Sequence, residues 1–175
     1  MSIQVVGAAC SIGGIHRGCR RGPEVFRRQS FSRLQQSIPR QADWRGIVRE
    51  GMSTTGGGYG VIVSYCRRIR DLVVKINHAG DFPVIIGGDH SCAIGTWSGV
   101  AQHSRGPFGM LWIDAHLDSH TPGSSITGAV HGMPLACLLG SGDTAFLNLC
   151  PKRPVLDPQA TCVVGVRSFE PPEQA

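Results

Sequence analysis

The stretch Val84-Ile85-Ile86-Gly87-Gly88-Asp89-His90-Ser91 decides the fold. Its β-branched run reads as a short strand, the glycine pair ends that strand, and a helix-like stretch follows from Cys92 to about Gln102. A strand that enters a glycine turn and then a helix is the building unit of an open α/β sheet. Such a turn places His90 at the carboxyl end of the strand, where open α/β sheets bind their ligands.

The next apolar run, Met110-Leu111-Trp112-Ile113, ends in Asp114-Ala115-His116-Leu117-Asp118. In an extended backbone side chains alternate with a period of two, so Asp114, His116 and Asp118 can point the same way. Converging carboxylates and an imidazole are costly to pack without a partner, and a divalent metal removes that cost. A solvated strand end is the bland alternative for this segment taken alone. Two strand ends that deliver His/Asp sets to one rim of a parallel sheet favour the metal.

Outward from these strands, Ile3-Gln4-Val5-Val6-Gly7-Ala8 reads as a strand followed by a loop with Gly13, Gly14, Gly18 and Gly22. Pro23 suits the first turn of a helix running through Val25, Phe26 and Leu34. Residues 37–58 read as irregular, ending in Gly56-Gly57-Gly58, which is too close-set for a GxGxxG fingerprint. Ile62, Tyr65, Ile69, Leu72, Val73 and Ile76 recur at helical spacing between Val61 and His78, with Gly80 as the expected cap. A Ser/Thr/Gly loop at 119–130 leads into His131-Gly132-Met133-Pro134 and a small apolar helix through Leu139. Thr161–Val166 reads as a further strand. Strands alternating with helices predict an α/β fold with a mostly parallel, doubly wound sheet, in a single domain over 1–175.

Composition is that of an ordinary globular protein: 175 residues, 41% hydrophobic and 17% charged. The seven cysteines are scattered without a CxxC pair, which predicts reduced thiols rather than a disulfide framework or a zinc-thiolate site. No apolar run approaches the ~18–20 residues of a membrane span. The N-terminus lacks the pattern of a secretory signal, so a cytoplasmic protein is expected. Nine of the 17 basic residues fall between Arg17 and Arg49. This stretch is broken by Gly22-Pro23 and Pro39 and matches no nucleic-acid recognition motif, so a solvated face or an oligomer contact is expected.

His90, Asp114, His116 and Asp118 make four candidate ligands. One zinc could use them, but a carboxylate-rich set suits Mn²⁺ or Mg²⁺ better. Two ions about 3.5–4 Å apart, as in two-metal hydrolytic sites, would want further carboxylates. Asp143, Asp157, Glu170 and Glu173 are isolated in the sequence.

The motifs Gly87–Ser91, Asp114–Asp118 and His131–Pro134 resemble, in order and approximate spacing, those of the ureohydrolases, the arginase and agmatinase family. Gly22-Pro23 and Gly165-Val166-Arg167 are also similar, and the resemblance covers essentially the whole chain. It implies a three-layer αβα fold and a dimanganese centre whose bridging hydroxide attacks a guanidinium carbon, releasing urea. The family's metal ligands map onto His90, Asp114, His116 and Asp118, and its proton-transfer histidine onto His131. The substrate's α-amino acid end maps onto His120, Ser125, Thr127 and Glu170. His120 stands where arginases commonly carry Asn, and Thr127 and Glu170 stand for the more usual Ser and Asp. The family's second carboxylate motif, Ser-Phe-Asp-x-Asp-x-x-Asp-Pro, lies downstream of the matched region. The resemblance therefore implies an N-terminal portion of an arginase-like hydrolase, its activity impaired by the missing ligands, acting on L-arginine. An agmatinase or other guanidino or formimino hydrolase is the alternative, as is a non-catalytic product. Trimers or hexamers are the family's common assemblies. No GxSxG elbow supports a serine hydrolase.

Overall fold

The computed structural model describes residues 1–51 and 58–174. Gly56 and Gly57, part of the glycine run singled out above, lie outside the described residues. Strand β1 (Ile3–Ala9) is central, with β2 (Ala42–Arg49) and β3 (Phe82–Gly87) parallel to it on either side. Val5, Val6, Ala8 and Ala9 are buried, as a parallel strand covered on both faces must be. Gly7 faces helix α1 (Gly22–Gln29), where an added Cβ would lie 3.0 Å from the Pro23 side chain. Ala8 points the other way, into the core formed with helix α3 (Gly58–His78). Helix–sheet–helix layering follows from that alternation.

Helix α3 buries Ile62, Tyr65, Cys66, Ile69, Val73 and Ile76, a stripe at i, i+3 and i+4 spacing. Helix α4 (Cys92–His103) lies close against it because two glycines face it. A Cβ on Gly95 would sit 2.3 Å from the Cys66 carbonyl oxygen, and one on Gly99 2.8 Å from that of Arg70. Burial pushes the thiols of Cys10, Cys92 and Cys137 up to about 12. These cysteines pack as small hydrophobes, and all seven are free.

Strands β4 (Phe108–Ile113) and β5 (Leu156–Val164) pair in parallel, connected through the short helices α5 (Pro134–Leu138) and α6 (Thr144–Leu147). Every strand pair is thus parallel, as expected, but the described strands form two sheets rather than one continuous sheet. Along the free edge of β3 runs a groove of about 520 Å³ that includes Phe82, Ile85, Trp97 and Val100. On β4, Leu111 and Ile113 are exposed opposite Cys162 and Val164 of β5. No described helix is long and apolar enough to cross a membrane.

Three sequence expectations need correction. The helix expected from Pro23 through Leu34 is two helices, α1 and α2 (Phe31–Ser37), broken where Ser30 turns to φ −124°. An unbroken helix would set residues 26 and 31 about 140° apart. The break instead lets Phe26 and Phe31 both pack on Trp44, at ring distances of 6.5 and 5.5 Å.

The stretch 37–58, expected to be irregular, contains β2. A register shift between Val5 and Val6 leaves Arg45 without a partner, and Gly46 takes φ +136°. This bulge puts Trp44 and Ile47 on one face, both against Gly7, so a period-two search misses the strand. Strand β5 begins at Leu156 and ends at Val164 rather than spanning 161–166. Its first residues are irregular around Pro158, with a register shift against β4 between Phe108 and Met110.

The basic segment 17–49 is partly neutralised within the chain. Glu24 pairs with Arg28 at 2.8 Å and Arg49 at 2.9 Å, and Glu50 pairs with Arg20 at 3.2 Å. Arg27 lies 5.8 Å from the Trp44 ring centre. A solvated face fits these pairings.

Candidate metal centre

His90 leaves β3 on the turn Gly88–Ser91, and a Cβ on Gly88 would sit 2.2 Å from the Cys10 carbonyl oxygen. The loops after β1 and β3 therefore touch there. The chain leaves β1 towards α1 on one face and β3 towards α4 on the other, which opens a crevice at the carboxyl ends. The His90 ring stacks on Trp112 of β4 at 4.8 Å, which limits its swing.

Asp114 follows β4, its N–H donating to the Val164 carbonyl at 3.0 Å. The motif Asp114–Asp118 is not a strand, so the expected alternation does not aim its side chains. A turn does so instead: Asp114 Oδ1 accepts from the His116 N–H at 2.9 Å, and Asp118 adopts the left-handed region at φ +51°. Aspartate tolerates that conformation, and such strained residues concentrate at functional sites. The turn is tied down because Ala115 O accepts from the N–H groups of Arg167 and Ser168 at 2.9 and 3.1 Å. Asp118 O also accepts from Leu135 at the start of α5, at 2.9 Å.

As a result His90, Asp114 and Asp118 offer ligand atoms within 4.8 Å of one another. His90 Nδ1 lies 2.6 Å from Asp118 Oδ2 and 3.3 Å from Asp114 Oδ2. His116 is set apart from this group: its ring is largely exposed, with Nδ1 3.4 Å from Asp114 Oδ1. Burial pushes the His90 imidazole down, but the hydrogen bond and charge of Asp118, then the charges of Asp114 and Asp89, outweigh it. The net result is a raised pKa.

One cavity of about 400 Å³ is lined by all nine residues singled out from the sequence: His90, Asp114, His116, Asp118, His120, Ser125, Thr127, His131 and Glu170. The ligand group stands at one side. His131 is held by its N–H donating to Gly13 O at 2.9 Å. Ser125 and Thr127 use their hydroxyl oxygens to accept from the N–H groups of Gly128 and Ala129, at 3.1 and 3.2 Å. His120 Nε2 lies 3.4 Å from Glu170 Oε2 and 3.5 Å from Glu173 Oε2.

Glu173, isolated in the sequence, is the residue that reading missed. Its buried carboxylate accepts from the N–H groups of Glu170 at 2.8 Å and Ser119 at 3.2 Å. It thereby fastens the Glu170 turn to the 119–127 loop. The spacing Glu170-Pro171-Pro172-Glu173 was the available signal, since Pro-Pro opens a short 3-10 turn that brings the two acids back to one side.

An α/β fold that gathers two carboxylates and an imidazole at its strand ends is a scaffold that can hold a divalent cation. A scan against known protein families matches residues 1–175 to the Arginase family, and the chain belongs to that family. The arginase of Bacillus caldovelox is 32% identical over 98% of this chain and 60% of its own length. The arginase of Bacillus subtilis is 31% identical over 99% of this chain, again covering 60% of that protein. The solved structure of the Bacillus caldovelox enzyme superposes with a TM-score of 0.91 at 30% identity, covering 99% of this chain and 60% of that one. A formimidoylglutamase from Bacillus subtilis shares the fold at a TM-score of 0.70 and 19% identity. The chain thus spans about 60% of the length of the arginases it matches.

Proposed function

We propose that this chain carries the guanidino-binding and metal-binding half of an enzyme that hydrolyses L-arginine to L-ornithine and urea. The single observation that carries the reading is the shared cavity, lined both by His90, Asp114 and Asp118 and by Ser125 and Thr127 of the hydroxyl-bearing loop 119–127. The donor set fits manganese: hard carboxylate oxygens with a borderline imidazole, the only such cluster among the described residues. His90, Asp114, His116 and Asp118 would hold the ions, two in the complete site. When bound, manganese supplies a water activated for attack on the guanidinium carbon and neutralises the carboxylates.

The remaining steps belong to the protein. His131 lines the same cavity as the ligand group, and its imidazole is suited to pass a proton to the departing amine. Ser125, Thr127 and His120 offer donors for the α-carboxylate of an amino acid. Glu170, held by Glu173, offers a carboxylate to the α-amino group. A substrate bearing both groups fits these residues better than agmatine, which has no carboxylate. The working protein in this reading is a cytoplasmic homo-oligomer, a trimer or hexamer.

The test is urea release from L-arginine and from agmatine by the Mn²⁺-loaded natural full-length protein. Arginine is expected to be preferred by at least about tenfold in kcat/KM, the worth of one charged hydrogen bond. Equal rates or a preference for agmatine would overturn the substrate assignment. No hydrolysis of any guanidino compound would overturn the function.

A further inference from the structure

We propose that Asp89 is a positioning residue for His131, acting through the loop that follows β1. This inference rests on the reading of His131 as the proton-transfer residue, and it assigns what sets that residue's place.

Asp89 precedes the ligand His90, yet its carboxylate turns away from the ligand group and is 7% exposed. Oδ1 accepts from the Ser91 N–H at 3.1 Å and from the Ser91 hydroxyl. Oδ2 accepts from the Gly13 N–H at 3.0 Å, across the crevice between β1 and β3. Gly13 in turn accepts, through its carbonyl, the N–H of His131 at 2.9 Å. One residue thus donates its N–H to the Asp89 carboxylate and accepts the His131 N–H on its carbonyl.

The sequence of this loop is matched to that role. A Cβ on Gly13 would lie 2.9 Å from both Asp89 Oδ1 and Ser91 Oγ, and one on Gly14 3.2 Å from the His131 ring. Two glycines let the loop pass between a carboxylate and an imidazole at contact distance. The loop is also clamped from its other flank. Glu50 Oε2 accepts from the N–H groups of Ser11 and Ile12, at 2.7 and 3.2 Å. Asp89 N–H donates to Cys10 O at 2.9 Å. Residues 10–13 are held between two acids, so a run of hydrogen bonds ties the backbone of His131 to the turn bearing His90. An ionised acceptor suits a purely donating peptide N–H, and such charge-assisted bonds are short and strong.

The experiment is amide hydrogen exchange by NMR on the metal-free, isotopically labelled chain, with histidine ring spectra recorded alongside. Asp89→Asn keeps the shape but can turn an NH₂ towards the Gly13 N–H. The Gly13 and His131 amides are expected to exchange at least about tenfold faster, the loss of one charge-assisted bond. Amides in the β1–β2 ladder should stay within about twofold of the parent. The His131 ring resonances should move while those of His78 and His103, at the far helix ends, do not. Unchanged His131 exchange would overturn the proposal. So would uniform acceleration of every amide, which would make Asp89 a general stability residue. If Asp89→Asn does not fold, Gly13→Ala is read in its place. That variant keeps the carboxylate, and faster His131 exchange with unchanged β1–β2 exchange is expected; no change at His131 overturns the proposal. Because this readout needs neither metal nor substrate, its failure leaves the proposed hydrolysis standing. Failure of hydrolysis leaves the measured coupling intact.

Discussion

His90 Nδ1 lies 2.6 Å from Asp118 Oδ2, a contact made by residues 28 positions apart on two different strand ends. Asp118 reaches it only through a left-handed backbone turn. The pair occupies the position in which both residues would ligate a cation. Protonation and metal binding therefore compete for the same atoms.

The first prediction concerns pH in the metal-free protein. The raised His90 pKa means that the folded state holds its proton more tightly than the unfolded chain, whose value is 6.5. The stabilisation is present below 6.5 and is lost as pH rises through the folded value. The stability difference between the parent and His90→Gln should accordingly be larger at pH 5.5 than at pH 8.5, by urea titration. An equal difference at both values would show the pair to be uncoupled.

Metal should reverse that trend. Mn²⁺ is expected to bind more weakly at pH 5.5 than at pH 8 and to release protons on binding, measured by calorimetry in buffers of different ionisation enthalpy. Asp118→Asn should cost at least about tenfold in affinity, since a ligand is lost rather than an outer partner. Thermal shift with excess Mn²⁺ should shrink in the same variant.

Glu50 supplies an acid-side prediction. Burial raises its pKa, but hydrogen bonds from the Ser11 N–H, Arg20, Cys10 and the Ile12 N–H outweigh this and leave it below 4.5. A depressed carboxyl stabilises the fold above its unfolded value and ceases to do so as pH falls through the folded one. The stability advantage of the parent over Glu50→Gln should be full at pH 7 and shrink below pH 4.5, followed by circular dichroism during acid titration. A constant difference down to pH 2.5 would contradict this.

Helix packing gives the fourth. Gly95→Ala would bring a Cβ to 2.3 Å from the Cys66 carbonyl, a rigid backbone atom that cannot move aside as a side chain can. The cost expected is about 3 kcal/mol or more, from forced separation of α3 and α4. It should be read as a lower urea midpoint at unchanged slope. A loss under about 1 kcal/mol would mean that the helices slide apart freely.

Much of this molecule was legible in residue patterns. The stripe from Ile62 to Ile76, the strand–turn–helix at 84–102 and the His/Asp strand ends each depend on neighbours in the chain, and local periodicity reports local structure. All nine candidate residues reach one cavity because parallel strands necessarily end on one rim. The sequence by itself therefore determined the fold class and the side-chain types that line the cavity.

Tertiary structure decided the rest. Strand β2 exists because β1 offers it a ladder, and its bulge at Arg45 and Gly46 hides the alternation that would have revealed it. The separation of His116 from His90, Asp114 and Asp118 arises from a turn whose form is imposed by Arg167, Ser168 and Leu135, residues well downstream. Glu173 and Asp89 look like ordinary acids until distant backbone N–H groups are brought to them. Contacts between residues tens of positions apart leave no periodic trace, so only the folded chain shows which carboxylates gather with His90 and which hold the loops around them.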